Sequence, residues 1–462
     1  MRNVVLSITM AGLLAGCQGG PVRVDASAAQ PASAKAATEA FDVVVEAERL
    51  AAQDLWPGFD LQSVPVAIYD GERTLLFRHA AAPDGFQQLQ DHDDVWAYAG
   101  RHPAVTANSS AELGGVLTAT LMPATGPVTL RARAALLVHE AFHVFQRARH
   151  PTWSANEVDL FVYPVDDSGL LALRRLETRA LGRALASDTS AHSACWARTA
   201  LAARHRRFAA MGPAAVAYER GTELNEGLAT YVERRALAAS ATDLMPDAPF
   251  APEQVRQRAY RTGAALARLL DTAAPDWRAA LERDDVVPLD GLLDEALAKH
   301  PADASACTFT NAERAQAQVE ATADVQALSA RLLEQRHAFL ERDGWRVVVD
   351  AAQSPLFPQG FDPLNVQVMG RGEVLHTRFL ELGGDAGAFE VLGRPTLTEA
   401  AGAHPLFNGV RMLTLTGLPA APVVTEADGG VRIEADGVSA TFRAARVARS
   451  ARTVIIRVLP PP

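Results

Sequence analysis

Residues 134–146, which read AALLVHEAFHVFQ, decide the expected fold of this 462-residue chain. Apolar residues fall on all sides of a helix in this stretch, which predicts a helix buried in a hydrophobic core. His139 and His143 are four residues apart and therefore share one face of that helix. Two imidazoles at this spacing bind one Zn²⁺ ion, and Glu140 is placed to act as general base on a metal-activated water. Two buried histidines beside a carboxylate need partners, and a metal ion supplies them.

A catalytic zinc site needs a third protein ligand in addition to the two histidines. Six residues after His143, where metzincin peptidases carry a third histidine, the chain has Arg149. His150 follows and precedes Pro151, so it is expected at the end of the helix and pointing elsewhere. The third ligand is therefore expected to be a carboxylate from a later helix.

Two later glutamates are candidates for this ligand. Glu226 lies in the segment 223–233, ELNEGLATYVE, whose apolar residues predict a buried helix and whose small residues Gly227 and Ala229 would let it approach the HExxH helix closely. Glu177 lies on the apolar stripe of another predicted helix, where a carboxylate needs a charged or metal partner. The residues alone leave both glutamates open as the third ligand. If Glu226 is the ligand, Glu177 would orient one of the histidines or pair with Arg174 or Arg204.

The segment around Glu226 resembles the Glu-Gly-x-Ala/Thr-x-Tyr motif of the gluzincins, zinc peptidases that combine an HExxH helix with a downstream glutamate ligand. The resemblance implies a zincin-like catalytic domain in which His139, His143 and Glu226 bind zinc and Glu140 is the base. The 83-residue separation of His143 and Glu226 is longer than in typical members and implies inserted helices. The chain also resembles a group of uncharacterised bacterial exported lipoproteins that share the HEAFH and NEGLATY motifs.

Catalysis by such a site also needs a hydrogen-bond donor for the oxyanion. Tyr231 and Tyr218 are the candidates, because they lie close in sequence to Glu226. Tyr231 is five residues further along the same helix and would face a different side, so a place in the core is the alternative for it. Gln146 follows His139 by two helical turns on the same face and is expected to support a ligand. A strand expected at 115–122 precedes the HExxH helix, as the substrate-aligning edge strand does in gluzincins, and an extended peptide would add to it.

Residues 1–17 carry a short basic start, an apolar run and the sequence LAGC. This pattern predicts a secretion signal, and its end resembles a bacterial lipobox, which implies cleavage before Cys17 and acylation of that cysteine. Residues 18–38 are rich in Ala, Ser, Pro and Gln and predict a flexible tether. Gln18 favours the outer membrane in enterobacterial-type sorting. We therefore expect a lipid-anchored protein of the bacterial cell envelope, on the periplasmic face of the outer membrane.

Cys195 and Cys307 are the only other cysteines. An exported protein meets an oxidising compartment, so a disulfide between them is expected, the alternative being two buried thiols. Neither has the spacing of a metal ligand.

The expected fold class is α+β. Residues 39–125 read as the mixed α/β part and 126–340 as the helical, zinc-binding part of a catalytic domain, and 341–462 as a separate β domain. His376 and His404 are isolated in that domain and are expected to be structural. The formal net charge of −10 and the lack of a basic stripe argue against nucleic acid as a partner.

These features predict a zinc metallopeptidase with one Zn²⁺ per chain and a peptide or protein substrate, bound to the membrane through its lipid anchor only. One alternative is a binding lipoprotein of zincin-like fold that no longer turns over substrate, against which the intact Glu140 argues. The other is a zinc hydrolase of a non-peptide amide. The sequence leaves endopeptidase and exopeptidase activity equally open.

Overall fold

The computed structural model describes residues 30–460 except 91, 247, 285, 300–306, 363–364, 371 and 401. The predicted signal peptide, Cys17 and the first part of the tether lie outside these residues. The described chain divides into two compact units. The N-terminal unit comprises 30–155 and 169–318, and the C-terminal unit comprises 156–168 and 319–460. Within the described part of the chain, no helix is long and apolar enough to cross a lipid bilayer.

The N-terminal unit begins with helix α1 (Gln30–Ala51), which starts inside the predicted tether. Its strands are β1 Val66–Tyr69, β2 Arg73–Phe77, β3 Gln87–Leu89, β4 His92–Ala99, β5 Ser109–Leu113 and β6 Val116–Leu121. They form one sheet in the order β3-β4-β2-β1-β6-β5. The sequence Asp70-Gly71 between two apolar runs predicts a hairpin, and the structure confirms it. Strands β1 and β2 pair antiparallel, and the Asp70 carboxylate accepts hydrogen bonds from the backbone N–H groups of Glu72 and Arg73 in the turn.

Strand β6 matches the predicted strand at 115–122, but it is not an edge strand. It pairs in parallel with β1 on one side and antiparallel with β5 on the other. Its expected role as a peptide-pairing edge is therefore wrong, because the preceding segment folds back along its outer side. The free edge at this end of the sheet belongs to β5.

Among the helices of the N-terminal unit, α2 (Leu130–Arg149) carries the HExxH sequence. The others are α3 Ser168–Leu185, α4 Ser190–Ala210, α5 Pro213–Thr222, α6 Leu228–Ala236, α7 Val255–Ala273, α8 Trp277–Arg283, α9 Leu289–Ala298 and the start of α10 Asn311–Leu340. The Thr129 side chain caps α2 by accepting a hydrogen bond from the Ala132 backbone N–H. Val43 of α1, Val66 of β1 and Leu137 of α2 meet in one core, so α2 is buried as predicted.

Cys195 in α4 and Cys307 form a disulfide, with their Cα atoms 5.7 Å apart. The bond joins positions separated by 112 residues. Closing a loop of that length stabilises the folded chain by at most about 4–5 kcal/mol through the entropy of the unfolded state.

The C-terminal unit contains two sheets, which confirms the predicted β-rich region. Their strands are β7 Trp345–Asp350, β8 Phe357–Phe361, β9 Val366–Gly370, β10 Glu373–His376, β11 Phe379–Gly384, β12 Gly387–Leu392, β13 Thr396–Ala400, β14 Val410–Leu418, β15 Val423–Ala427, β16 Gly430–Ala435, β17 Val438–Phe442, β18 Ala445–Ser450 and β19 Thr453–Val458. The orders are β18-β19-β7-β14-β13-β10-β9 and β15-β16-β17-β12-β11-β8. One core takes residues from both sheets, including Leu413 and Phe389.

The segment 156–168, which lies between α2 and α3 in sequence, belongs to the C-terminal unit. Phe161 joins the core of that unit and packs edge-on against Phe361, with ring centroids 5.9 Å apart. The His404 Nε2 atom lies 3.2 Å from the Val158 carbonyl oxygen, so His404 has the structural role that the sequence predicted. The N-terminal unit is consequently built from two separate stretches of chain.

His376 is fully buried in β10 and also has a structural environment. The Thr398 hydroxyl donates to the Val374 carbonyl oxygen and lies 3.2 Å from His376 Nε2, so this nitrogen must carry the proton and donate to Thr398. His376 Nδ1 has no hydrogen-bond partner among the described residues. A second proton would place a cation in an apolar core, and burial lowers the pKa of His376 to about 3.

The C-terminal unit is expected to lose stability when the pH falls from about 6.5 toward 3. In this range the unfolded chain protonates His376 and the folded chain does not, so the free energy of unfolding falls by up to about 1.4 kcal/mol per pH unit. Denaturant unfolding at pH 7.5, 6 and 5 would measure this slope, and His376→Gln should flatten it. His337→Gln, which removes a histidine with a side chain 70% exposed, is the control. Equal slopes for wild type and His376→Gln would contradict the prediction.

Candidate metal centre

Helix α2 presents His139 and His143 on one face, one turn apart. Both rings point toward the same space, and their Nε2 atoms are 3.1 Å apart. His139 is buried, and the side chain of His143 is 12% exposed. The helix ends at His150, whose ring stacks on Trp153 and lies 2.9 Å from a Glu282 oxygen, so His150 does not join the pair.

Glu226 supplies the third ligating atom from a π-helical turn, Glu223–Gly227, between α5 and α6. Its Oε2 atom lies 3.2 Å from His143 Nε2 and 3.6 Å from His139 Nε2. A π-helical turn changes the direction of the side chains that follow it, and such turns are frequent at functional sites. The sequence-favoured ligand set therefore comes together across the 83 residues that separate its parts.

Two glycines let this turn approach helix α7 closely. A Cβ atom on Gly227 would lie 2.7 Å from the Cα atom of Gly263, and one on Gly263 would lie 2.7 Å from the Glu223 carbonyl oxygen. Neither position can carry a side chain without moving a helix. The Asn-Glu-Gly sequence thus places Glu226 by allowing backbone contact with α7, whereas Gly227 was expected to allow a close approach to the HExxH helix.

The donor set fits a tetrahedral cation. Ligand atoms about 2.1 Å from a tetrahedral zinc ion are about 3.4 Å from one another. The distances among His139 Nε2, His143 Nε2 and Glu226 Oε2 range from 3.1 to 3.6 Å. Two imidazoles and one carboxylate are also a donor set found in catalytic zinc sites. This group could hold a metal ion.

The remaining ring nitrogens are held by neighbouring side chains, which leaves both Nε2 atoms directed at the centre. His139 Nδ1 lies 3.2 Å from Glu233 Oε2, and His143 Nδ1 lies 2.8 Å from Gln146 Oε1. The Gln146 amide in turn donates to the Leu224 carbonyl oxygen at 3.0 Å. Such partners fix the tautomer and orientation of metal-binding histidines. Gln146 was expected in this role, and Glu233 was not.

The carboxylates around the three candidate ligand groups favour a cation at the centre. Burial lowers the pKa of His139, but hydrogen bonds to Glu226 and Glu233 outweigh it and raise the pKa to about 10. Burial raises the pKa of Glu226, yet its hydrogen bonds with His139 and His143 hold it well below its usual range. The carboxylates therefore draw positive charge to the ring nitrogens, where a metal ion competes with protons.

Glu140 lies beside these ligands in a cavity of about 1060 Å³. Only 6% of the residue is exposed, and burial raises the pKa of its carboxyl group despite the nearby histidines. Ser109 and Ser110 of the edge strand β5 line the same cavity. A raised pKa, a water-accessible cavity and a neighbouring cation site together suit a group that accepts and returns protons.

Helix α7 adds two side chains that the sequence did not reveal. An Arg256 Nη atom donates to Glu226 Oε1 at 2.9 Å, and Arg256 Nε donates to the Tyr260 hydroxyl at 3.1 Å. Burial and the charge of Glu226 raise the pKa of Tyr260. Arg256 and Tyr260 are one helical turn apart, but no local pattern indicates that α7 faces the HExxH helix. By contrast, Glu233 follows Glu226 by seven residues, a spacing that could have identified it.

Tyr231 lies in the core and not at the site, contrary to the prediction. Its ring packs edge-on against Trp56 and Trp277, and its hydroxyl donates to Asp271 at 2.7 Å. Tyr218 is fully buried in α5. Neither tyrosine is among the described residues that line the cavity, whereas Tyr260 is.

Glu177 is not at the metal centre either, and the expectation of an alternative ligand there is corrected. Its two oxygens contact Arg204, Arg207 and Arg258, and all four side chains are 1% exposed. Burial disfavours its ionisation, but the three guanidinium groups outweigh burial and hold the pKa of Glu177 well below its usual range. The pairing with Arg204 is one of the partners that the sequence had suggested.

Comparisons with protein-family models, curated proteins and solved structures gave no match to this chain.

Proposed function

We propose that the chain is a zinc-dependent peptidase of the gluzincin type, with His139, His143 and Glu226 as ligands and Glu140 as general base. The observation that carries this proposal is the convergence of three ligand atoms, 3.1 to 3.6 Å apart, beside a buried carboxyl group in an open cavity. A carboxyl group in that place is what a hydrolase needs and a structural metal site does not.

A bound zinc ion would polarise the scissile carbonyl group and activate a water molecule. Glu140 accepts a proton from the attacking water and passes it to the leaving amine. Tyr260 lines the cavity, and its hydroxyl accepts a hydrogen bond from Arg256. This hydroxyl replaces that of Tyr231 as the candidate donor to the oxyanion. Glu233 and Gln146 hold the two histidine rings in place throughout.

Strand β5 supports a peptide as the substrate rather than another amide. It is one of the two edge strands of the sheet, and Ser109 and Ser110 of this strand line the cavity. An extended peptide can pair with such an edge through main-chain hydrogen bonds. We further propose a lipid-anchored location in the bacterial envelope, on the sequence of residues 1–17, and the Cys195–Cys307 disulfide suits an oxidising compartment.

Purified protein lacking the signal segment is expected to contain about one zinc per chain, measured by plasma mass spectrometry. Glu226→Gln should lose the metal, because an amide is a poor substitute for a charged ligand. The control, Glu295→Gln, removes an exposed carboxylate on α9 and should retain it. Chelation should abolish hydrolysis of a peptide library, and added zinc should restore it.

Wild-type protein without stoichiometric metal, even after addition of zinc, would rule out the proposed enzyme. If Glu226→Gln retained zinc, the third ligand would be a different residue, and Glu233 would be the next carboxylate to test. Zinc binding without hydrolysis of any peptide would favour the binding lipoprotein or an enzyme for a different amide.

A further inference from the structure

The cavity that contains the proposed zinc site is lined by more cations than anions. Its charged residues other than histidine are Arg147, Arg234, Arg256, Arg261, Glu140, Glu226 and Glu233. Four guanidinium groups thus face three carboxylates, and a divalent cation would add to the excess. The whole chain has a formal net charge of −10, so the charge of the cavity lining is opposite in sign to that of the chain.

The carboxylates of the cavity do not account for these arginines. Arg256 is paired with Glu226, at 2.9 Å, and Glu233 lies against His139, at 3.2 Å. Arg234 lies 3.2 Å from Asp243, whose side chain is 61% exposed. These contacts leave two arginines of the cavity to be explained.

Arg147 and Arg261 have no carboxylate within ion-pair distance among the described residues. Arg147, at the end of α2, contacts Ser110 of β5 through the side-chain oxygen at 3.0 Å and the carbonyl oxygen at 3.3 Å. Arg261, on α7 next to Tyr260, makes one long contact, 3.4 Å, with the Asp243 carbonyl oxygen. Each guanidinium group therefore keeps N–H groups available for an anion, and guanidinium groups bind carboxylates through two parallel hydrogen bonds.

We propose that Arg147 and Arg261 select substrates that carry carboxylate groups near the bond presented to the metal centre. The carboxylate can be an acidic side chain or the free C-terminus of a peptide, since both offer the same two oxygens. Arg147 contacts Ser110 of β5, and Arg261 follows Tyr260 on α7. In the proposed function, β5 and Tyr260 are the groups that contact the substrate. The inference rests on the proposed function for the cleavage step, but binding can be measured without it.

The test compares fluorescent peptide libraries in which each position is fixed in turn as Glu or as Gln. Each library is prepared with a C-terminal acid and with a C-terminal amide. Binding is measured by fluorescence anisotropy on zinc-loaded Glu140→Gln protein, which should not cleave the peptide, and on metal-free protein. Arg147→Gln and Arg261→Gln are introduced singly, and Arg206→Gln, an exposed arginine of α4 outside the cavity, is the matched control.

A carboxylate-bearing peptide is expected to bind about tenfold more tightly than its matched neutral peptide, and salt should weaken the preference. Arg147→Gln or Arg261→Gln should remove it, and Arg206→Gln should not. Tighter binding of the Glu peptide than of its Gln counterpart identifies an acidic side chain as the group recognised. Tighter binding of the C-terminal acid than of the C-terminal amide identifies the C-terminus.

Equal affinity for charged and neutral peptides, or no binding by any peptide, would overturn the inference. Cleavage of peptides by wild-type protein without a charge preference would do the same and leave the proposed function standing. A carboxylate preference that depends on the two arginines, without cleavage by wild type, would support the binding site while rejecting the peptidase.

Discussion

Glu140→Gln is expected to lower kcat/KM for peptide hydrolysis by about 10²–10⁴-fold while zinc content stays at the wild-type level. Glutamine fills the same volume but cannot accept a proton at neutral pH. The carboxyl group of Glu140 is not one of the three ligand groups, so the metal site should remain intact. Initial rates on a cleaved library peptide, together with metal analysis of the same samples, would measure both effects.

The control for this substitution is Glu295→Gln, an isosteric change on the exposed side of α9. It should retain wild-type zinc content and rate. A Glu140→Gln protein with full zinc and nearly unchanged kcat/KM would show that another group takes the proton, and the proposed mechanism would be wrong. Loss of zinc in this variant would instead show that Glu140 supports the metal site, and the comparison of rates would no longer report on the base.

Glu177→Gln is expected to cost about 3–5 kcal/mol of unfolding free energy, the largest stability effect we predict. The carboxylate belongs to a buried ion cluster, defined here as Glu177, Glu219, Glu223, Arg204, Arg207 and Arg258, whose members are all 1% exposed. Its removal leaves guanidinium charge without compensation in a place that water cannot reach. Urea unfolding of the purified proteins would measure the loss.

Glu46→Gln is the comparison for Glu177→Gln, because Glu46 pairs with Arg49 on α1, and the side chain of Arg49 is 58% exposed to solvent. Exposed pairs contribute little to stability, so this variant should unfold at the same urea concentration as wild type. Equal behaviour of the two variants would show that the buried ion cluster is dispensable for stability.

The buried ion cluster also reaches the metal centre through Glu223, the first residue of the π-helical turn. Arg204 donates two hydrogen bonds to Glu223, at 2.8 and 2.5 Å, and the Thr262 hydroxyl donates a third at 2.6 Å. Three residues later in the same turn is Glu226. Any Glu177→Gln protein that still folds is therefore expected to hold zinc less tightly than wild type.

Local pattern was enough to predict which three side chains converge at this site. His139 and His143 are identified by their spacing on a buried helix, and Glu226 by the motif around it. Both signals are short in sequence: the first follows from the geometry of one helix, and the second from the resemblance to the gluzincin motif. The hairpin at Asp70 was predictable for the same reason, because a turn sequence lies between two apolar runs.

Contacts between distant segments were not predictable in this way. Glu177 lies on an apolar stripe that requires a charged partner, but the sequence does not say whether that partner is a metal or an arginine. Tyr231 was judged by its distance in sequence from Glu226, whereas its direction follows from packing against Trp56 and Trp277. Likewise, the position of β5 along the outer side of β6 depends on the path of the chain between the two strands, and the sequence of neither strand shows it.

The placement of segment 156–168 with the C-terminal unit has a consequence for synthesis. Phe161 emerges from the ribosome about 200 residues before Phe361, the ring it packs against, an interval of about 10–40 s at bacterial or eukaryotic elongation rates. During that time an aromatic segment that directly follows the HExxH helix has no completed core to enter. The last strands of the chain must therefore be synthesised before segment 156–168, made near the first third of the chain, can pack into its core.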